Sequence, residues 1–154
     1  MKTRSILLAL LVCLFAVSLG FAENPNMGTW KLNEAKSKFA PGMMKNTTVT
    51  YTTAGDSVKV ATEGTAGDGS PLKTEWTGMF DGKDYPLTGD TTANTRAYTK
   101  VNDHTMTLEN KKDGKVVTSG KIVVSADGKT RTLTTSGMNA AGKKISGTAV
   151  YDKE

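Results

Sequence analysis

The sequence predicts an all-β fold: an antiparallel up-and-down meander of about eight to ten strands that closes into a barrel. Two observations carry this prediction. The chain breaks into short runs rich in Thr, Val, Tyr or Trp, and Gly, Asp, Asn or Pro separates one run from the next. Short turns place each strand antiparallel beside the last, and pairing the first strand with the last removes both exposed edges. A two-sheet β-sandwich is the alternative.

Ten strands are predicted in chain order, at residues 28–34, 46–54, 57–63, 72–80, 83–88, 95–102, 104–111, 115–125, 129–138 and 143–152. Turn residues define most of their ends: Gly55-Asp56, Asp81-Gly82-Lys83, Asn102-Asp103, Asp113-Gly114-Lys115, Asp127-Gly128-Lys129 and Ala141-Gly142-Lys143. Most of these turns hold a residue that tolerates the positive φ of a tight hairpin. Between the first two strands, residues 34–45 are interrupted by Pro41-Gly42 and leave room for one helical turn.

Alternation of polar and apolar residues supports the third and fourth strands. The drier face of the fourth strand carries Leu72, Thr74, Trp76, Gly78 and Phe80. Across these strands the drier faces are rich in threonine, and aromatic residues make up 6% of the chain. This composition indicates either a thin core in which threonine methyl groups pack or a partly hydrated cavity.

The N-terminus has the plan of a signal peptide. Lys2 and Arg4 precede an apolar run, and small residues at Gly20 and Ala22 suit signal peptidase. We therefore expect cleavage after Ala22 and a secreted or periplasmic protein with no stable membrane anchor. An uncleaved anchor is the alternative, but the uncharged stretch at residues 5–21 is short for a spanning helix.

Residues 23–154 then form a single domain. The only cysteine, Cys13, is lost with the signal peptide, which excludes a disulfide or a thiolate metal site. The net charge of +5 falls to +3 once Lys2 and Arg4 are removed, because no acid precedes Glu23. The remaining lysines are dispersed, many of them beside turns, whereas a nucleic-acid-binding protein has a clustered basic face. We expect no nucleic-acid partner.

The start of the first strand, Gly28-Thr29-Trp30, resembles the G-x-W motif of lipocalins and of intracellular fatty-acid-binding proteins. The resemblance implies a calycin-type barrel whose base is plugged by Trp30, with Gly28 letting the chain bend as it begins the strand. Residues 150–153 end the last strand much as those proteins end. The chain is most similar to the small secreted lipocalin-like domains of bacteria, which share no common activity.

Two features depart from the fatty-acid-binding proteins. Residues 34–45 are too few for the helical pair that those proteins carry between their first two strands. Their carboxylate-binding arginine lies two positions before the closing tyrosine, where this chain has Ala149. We therefore do not transfer fatty-acid binding to this chain.

Catalytic and metal-binding patterns are missing from the sequence. His104 is the only histidine, no two carboxylates stand at a ligand spacing, and there is no G-x-S-x-G nucleophile motif. We expect a non-enzymatic protein without a metal or other cofactor.

The candidate ligand-binding residues are Tyr51, Trp76, Met106 and His104. Tyr51 and Trp76 are in phase with the apolar residues of their own strands, and His104 shares its predicted strand face with Met106 and Leu108. For these aromatic residues, core packing without a ligand is the competing interpretation. A satisfied histidine at a strand end is the competing interpretation for His104.

Arg96, Tyr98 and Lys100 share one face of the sixth predicted strand, and Arg131 can approach them across the sheet. Inside the barrel they would form a pocket for an anionic ligand; outside they are a solvated surface. We expect the outside, with Ala97, Thr99 and Val101 facing inward, because charged side chains are rarely buried unpaired.

The leading functional hypothesis is an exported, non-enzymatic, lipocalin-like protein that binds a small apolar or amphipathic molecule inside the barrel. One alternative is a solid barrel whose loops recognise a protein or the cell envelope. Another is an enzyme with a site inside the barrel, for which the sequence offers few titratable groups. The sequence leaves the oligomeric state open.

Overall fold

Ten antiparallel strands make up almost all of the structure, a computed structural model that describes residues 24–139 and 141–154. The predicted signal peptide lies outside the described residues. The strands are β1 (Gly28–Leu32), β2 (Lys45–Ala54), β3 (Ser57–Thr65), β4 (Pro71–Gly78), β5 (Tyr85–Thr88), β6 (Thr95–Asn102), β7 (Thr105–Lys112), β8 (Lys115–Val124), β9 (Thr130–Met138) and β10 (Lys144–Lys153). No helix in the described residues has the length and hydrophobicity to cross a membrane.

The strands close into an up-and-down barrel. Each strand pairs with its neighbours in sequence, and β1 pairs with β10 to complete the wall. Closure uses the pairs Trp30 with Lys153, Lys31 with Asp152, and Leu32 with Tyr151. The predicted meander and its closure are confirmed, and the sandwich alternative is wrong, because a single closed ladder satisfies both edges.

The predicted strands are confirmed, with differences of up to two residues at their ends. β1 ends at Leu32 because the Asn33 side chain accepts a hydrogen bond from Lys36 N at 3.2 Å and caps a 3₁₀ turn, Glu34–Lys36. This is the single helical turn expected before the second strand. β5 begins at Tyr85, after a turn in which the Asp81 carboxylate accepts a hydrogen bond from Lys83 N at 3.1 Å.

The core follows the predicted alternation. Along β4, buried and exposed residues alternate at every position, with Leu72, Thr74, Trp76 and Gly78 inside. Thr62 and Thr74 face each other across β3 and β4, and their hydroxyl oxygens lie 2.7 Å apart. The threonine-rich inner faces are therefore packed there by a buried hydrogen-bonded pair rather than exposed to solvent.

Trp30 closes one end of the barrel, here called the closed end. Its indole N–H donates to the carbonyl of Asn26 at 2.8 Å, and the Lys153 ammonium lies 5.2 Å from the centre of its ring system. Gly28 has φ +100°, and a Cβ there would lie 3.2 Å from Lys153 Cε. These contacts hold the start of β1 against Lys153 at the end of β10.

The opposite end, here called the open end, carries the segment between β1 and β2 and the turns that follow β3, β5, β7 and β9. Lys38 forms an isolated backbone bridge with Thr148 of β10. Phe39 then packs against the core from this end. A cleft of about 500 Å³ lies between this segment and the β3–β4 turn, with Phe39, Met43 and Ala66 in its lining.

Candidate functional site

Two arginines face the interior of the barrel. Arg96 on β6 is 6% exposed, and Arg131 on β9 is 2% exposed. The expectation that they lie outside is wrong, and so is the expected inward placement of Thr99 and Val101, which are exposed. The register explains the difference, because it sets Arg96 beside Asn110 and Arg131 beside Tyr151 on the inner face. Lys100 is exposed, as expected, and pairs with Asp103 at 2.8 Å.

Arg131 lies between two tyrosine rings. One of its terminal nitrogens, Nη2, donates a hydrogen bond to the Tyr51 hydroxyl at 2.7 Å. The guanidinium carbon is 5.1 Å from the Tyr51 ring centre and 5.3 Å from the Tyr151 ring centre, within range of cation–π attraction. Nε and Nη1 are buried and have no hydrogen-bond partner among the described residues. Two of the three guanidinium nitrogens therefore donate no hydrogen bond within the described residues.

Arg96 is better satisfied than Arg131. Its Nε donates to the Asn110 side-chain oxygen at 2.6 Å, and its Nη1 donates to the Tyr98 hydroxyl at 3.3 Å. The backbone carbonyl of Arg96 also accepts the indole N–H of Trp76 at 2.9 Å. Arg96 is thus fixed in place by neutral partners, which orient its charge without balancing it.

No described carboxylate balances either arginine. The ion pairs of the described residues all involve lysine, so no acidic oxygen lies within 4.0 Å of Arg96 or Arg131. Asp90 is the one acidic residue described as buried, at 9% exposed. It lies in the loop after β5, where one carboxylate oxygen accepts hydrogen bonds from the backbone and hydroxyl of Thr92. The interior therefore holds two positive charges beside neutral groups.

Burial favours the protonated form of two neighbouring phenols, those of Tyr51 and Tyr151. Burial raises the pKa of Tyr51, and the positive charge of Arg131 only partly opposes this. Burial likewise raises the pKa of Tyr151, whose hydroxyl donates to the Asn46 carbonyl at 3.0 Å. Tyr51 accepts a hydrogen bond from Arg131. We call Arg96, Arg131, Tyr51, Tyr98 and Tyr151 the arginine–tyrosine site.

A group of five aromatic side chains overlaps this site. Tyr51, Trp76, Phe80, Tyr85 and Tyr98 contact one another with centre-to-centre distances of 4.8–6.4 Å, and we call them the aromatic cluster. Tyr51 and Tyr98 belong to both groups, so the cluster leads directly to the guanidinium groups. Phe80 and Tyr85 are half-buried, and the cluster therefore reaches the surface beside β5.

Three of the four residues predicted to bind a ligand lie in one core. Tyr51 and Trp76 lie together in the aromatic cluster, and Met106 is buried in the same core. His104 is half-buried in the turn between β6 and β7, one residue before β7 begins. Its Nδ1 atom is buried and has no hydrogen-bond partner among the described residues. Metal-ligand clusters of three or more His, Cys, Asp or Glu side chains do not occur among residues 24–139 and 141–154.

The arginines were visible in the sequence but were assigned to the wrong face. A signal for the correct face was present, because Arg96 alternates in phase with Tyr98, and Arg131 alternates in phase with Leu133. Both partners contribute to the core, Tyr98 fully and Leu133 in part. The prediction gave more weight to the rule that charged side chains are rarely buried unpaired, and therefore placed both arginines outside.

Comparison with known proteins shows similarity in fold alone. No family model matches the chain, and no curated protein matches it. Among solved structures, the chain is similar to a redesigned beta barrel, mFAP1, bound to DFHBI, at 17% identity and a TM-score of 0.43, covering 81% of this chain and 94% of the other. It is also similar to EF1p2_mFAP2b bound to DFHBI, at 13% identity and a TM-score of 0.46, covering 84% and 94%. Neither likeness bears on what this chain does.

Proposed function

We propose that this protein binds a small amphipathic anion inside its barrel, without catalysing a reaction on it. The observation that carries the proposal is Arg131, a buried guanidinium with two unpartnered nitrogens and no described carboxylate within 4.0 Å. Removing a charge from water without a counter-charge costs several kcal/mol. A ligand carboxylate at this position would offset that cost.

The donors around Arg131 suit such a ligand. Nε and Nη1 of Arg131 are free to donate, and the neutral Tyr51 hydroxyl lies next to them. Hydrogen bonds from a guanidinium to a carboxylate are charge-assisted and about twice as strong as neutral ones. Arg96 adds a second positive charge near the same phenols. The site therefore favours a carboxylate over a neutral ligand of the same shape.

Thermal unfolding in the presence of carboxylates tests the proposal. Benzoate, naphthalene-2-carboxylate and decanoate are each titrated against the wild-type protein, Arg131→Gln and the exposed control Lys121→Gln. We expect at least one of them to raise Tm of the wild type and the control, since a ligand at 100 times its Kd adds about 2.7 kcal/mol. In Arg131→Gln the affinity should fall about 10- to 100-fold, as loss of a charge-assisted hydrogen bond predicts.

Two results would contradict the proposal. One is that no carboxylate stabilises the wild-type protein at millimolar concentration. The other is that Arg131→Gln is stabilised as much as the wild type, which would place the bound anion elsewhere on the molecule.

A second candidate is a solid barrel that recognises a protein or the cell envelope through its loops. The filled interior favours it, because the Tyr98 ring contacts the rings of both Tyr51 and Trp76. The clefts of about 500 and 330 Å³ both border the segment between β1 and β2, at the open end. This candidate assigns no role to the buried charges of Arg96 and Arg131. It becomes the better account if the carboxylate titrations fail.

We also propose that the protein acts outside the cytoplasm. This proposal depends on the basic and apolar N-terminal run that predicts a signal peptide with cleavage after Ala22.

A further inference from the structure

We propose that the anion bound at the arginine–tyrosine site is compact and planar, an aromatic carboxylate rather than a long-chain one. This inference rests on the proposed function and names the class of ligand for the same site. Two features of the interior support it: aromatic rings surround the guanidinium groups, and the half of the barrel toward the open end is filled.

The first feature is the aromatic cluster beside the charges. Tyr98 packs edge-on against Trp76 at 4.8 Å and against Phe80 at 5.6 Å, and Tyr51 lies 6.4 Å from both Phe80 and Tyr98. A flat aromatic ligand can replace such ring contacts by equivalent ones, because edge-to-face and offset pairs are favourable over centre distances of about 4.5–7 Å. The carboxylate of that ligand would then meet Arg131 next to Tyr51.

The second feature is the packing between the site and the open end. A Cβ at Gly120 would lie 3.1 Å from Leu108 Cγ and Leu133 Cδ1, so side chains of the neighbouring strands β7 and β9 already cover the inner face of Gly120. A Cβ at Gly147 would lie 2.8 Å from Met43 Sδ, so the segment before β2 covers Gly147 on β10. Gly147 also borders a cleft of about 330 Å³ at the open end, but neither glycine leaves room for a further side chain on the inner face.

A long alkyl chain would have to separate these contacts. From Arg131 to Thr135, the residue paired with Gly147, the inner face of β9 runs about 13 Å at the usual rise per residue. An alkyl chain of that length would break side-chain contacts all along the packed core. A compact aromatic ligand beside the guanidinium groups would break fewer of them. A compact ligand is therefore the one that this interior accepts most easily.

Competition between two carboxylates tests the inference. The full chain is expressed, and the purified protein is titrated with naphthalene-2-carboxylate and with decanoate by calorimetry. Naphthalene-2-carboxamide serves as the neutral control. We expect naphthalene-2-carboxylate to bind at least tenfold more tightly than decanoate and than the carboxamide, and to lose its advantage over the carboxamide in Arg131→Gln.

A matched pair of variants locates the ring. Phe80→Leu removes a half-buried ring of the aromatic cluster, and Phe39→Leu removes a half-buried ring at the open end. Phe80→Leu should weaken naphthalene-2-carboxylate about three- to tenfold, the effect of losing one aromatic pair, and Phe39→Leu should leave it unchanged.

The outcomes separate this inference from the proposed function. If decanoate binds as tightly as naphthalene-2-carboxylate, and both depend on Arg131, the inference is wrong and the anion site stands. The inference is also wrong if Phe39→Leu weakens naphthalene-2-carboxylate more than Phe80→Leu does. If neither carboxylate binds in an Arg131-dependent way, the proposed function fails together with the inference.

Discussion

Arg131 is the residue that most distinguishes this barrel from an ordinary packed core. Its side chain is as buried as the large apolar residues around it, yet it carries a charge. Tyr51 and Tyr151 supply one hydrogen bond and two ring faces, which stabilise a cation but do not neutralise it. A protein that kept Arg131 only for stability would do better with an apolar side chain of similar volume.

Arg131→Met should therefore stabilise the ligand-free protein, by about 1 kcal/mol or more, while abolishing carboxylate binding. The gain arises because the substitution removes an uncompensated buried charge and keeps most of the side-chain volume. Urea unfolding of the wild type, Arg131→Met and the exposed control Lys121→Met measures the difference. A loss of about 2 kcal/mol or more in Arg131→Met alone would show that Arg131 has a structural role.

The buried phenols make stability depend on pH in the alkaline range. Because burial raises the pKa of Tyr51 and Tyr151 above the ordinary value, the unfolded chain loses these protons at a pH where the folded chain keeps them. Stability from this source is complete below about pH 9, where the phenols of the unfolded chain are still protonated, and it decreases as the pH rises further.

We expect the free energy of unfolding, measured with urea, to fall between pH 9 and pH 11. The fall should be shallower in the double variant Tyr51→Phe, Tyr151→Phe, which has no phenol to ionise at these positions. Equal slopes in the wild type and the double variant would mean that the two phenols do not control alkaline stability.

At the scale of strands, most of the architecture can be predicted from the sequence. Gly55, Gly114 and Gly128 adopt positive φ in turns, and the strands end beside them as predicted. The alternation of β4 gives its inner face directly. The sequence of β6 does not show which of its faces points inward, because both faces carry polar residues. Arg96 faces inward beside Asn110 of β7, whose side-chain oxygen accepts its hydrogen bond. Arg96 was misplaced for that reason.

β5 is the weakest part of the barrel wall. It has four residues, and it pairs with β4 only at Trp76 and Glu75 and with β6 only at Arg96 and Thr95. Few ladder hydrogen bonds hold such a strand, so it opens locally at a lower free energy than its long neighbours. β5 also lies where the aromatic cluster reaches the surface.

Native-state hydrogen exchange should show this difference. Amides of β5 should exchange fastest among the ten strands, and those of β2, β3 and β4 should be among the slowest because their ladders are long. Exchange of β5 as slow as that of β3 would contradict this description of the wall.

At the scale of the whole molecule, closure of the barrel brings distant residues together. Arg131 and Tyr51 are 80 positions apart in sequence and lie on strands that are not neighbours, yet their side chains form a hydrogen bond across the interior. Local patterns in the sequence predict the wall of the barrel but not contacts across its interior, since those depend on the register of several strands at once. The contact between Arg131 and Tyr51 therefore became apparent only in three dimensions.

Native mass spectrometry of the protein, purified gently from its own compartment, tests whether the barrel carries an organic acid. We expect a polypeptide that begins at Glu23 and carries one small organic acid, which is released on unfolding. We expect Arg131→Gln, purified in the same way, to carry none. A ligand-free wild-type protein that also fails to bind added carboxylates would contradict anion binding and favour the solid barrel.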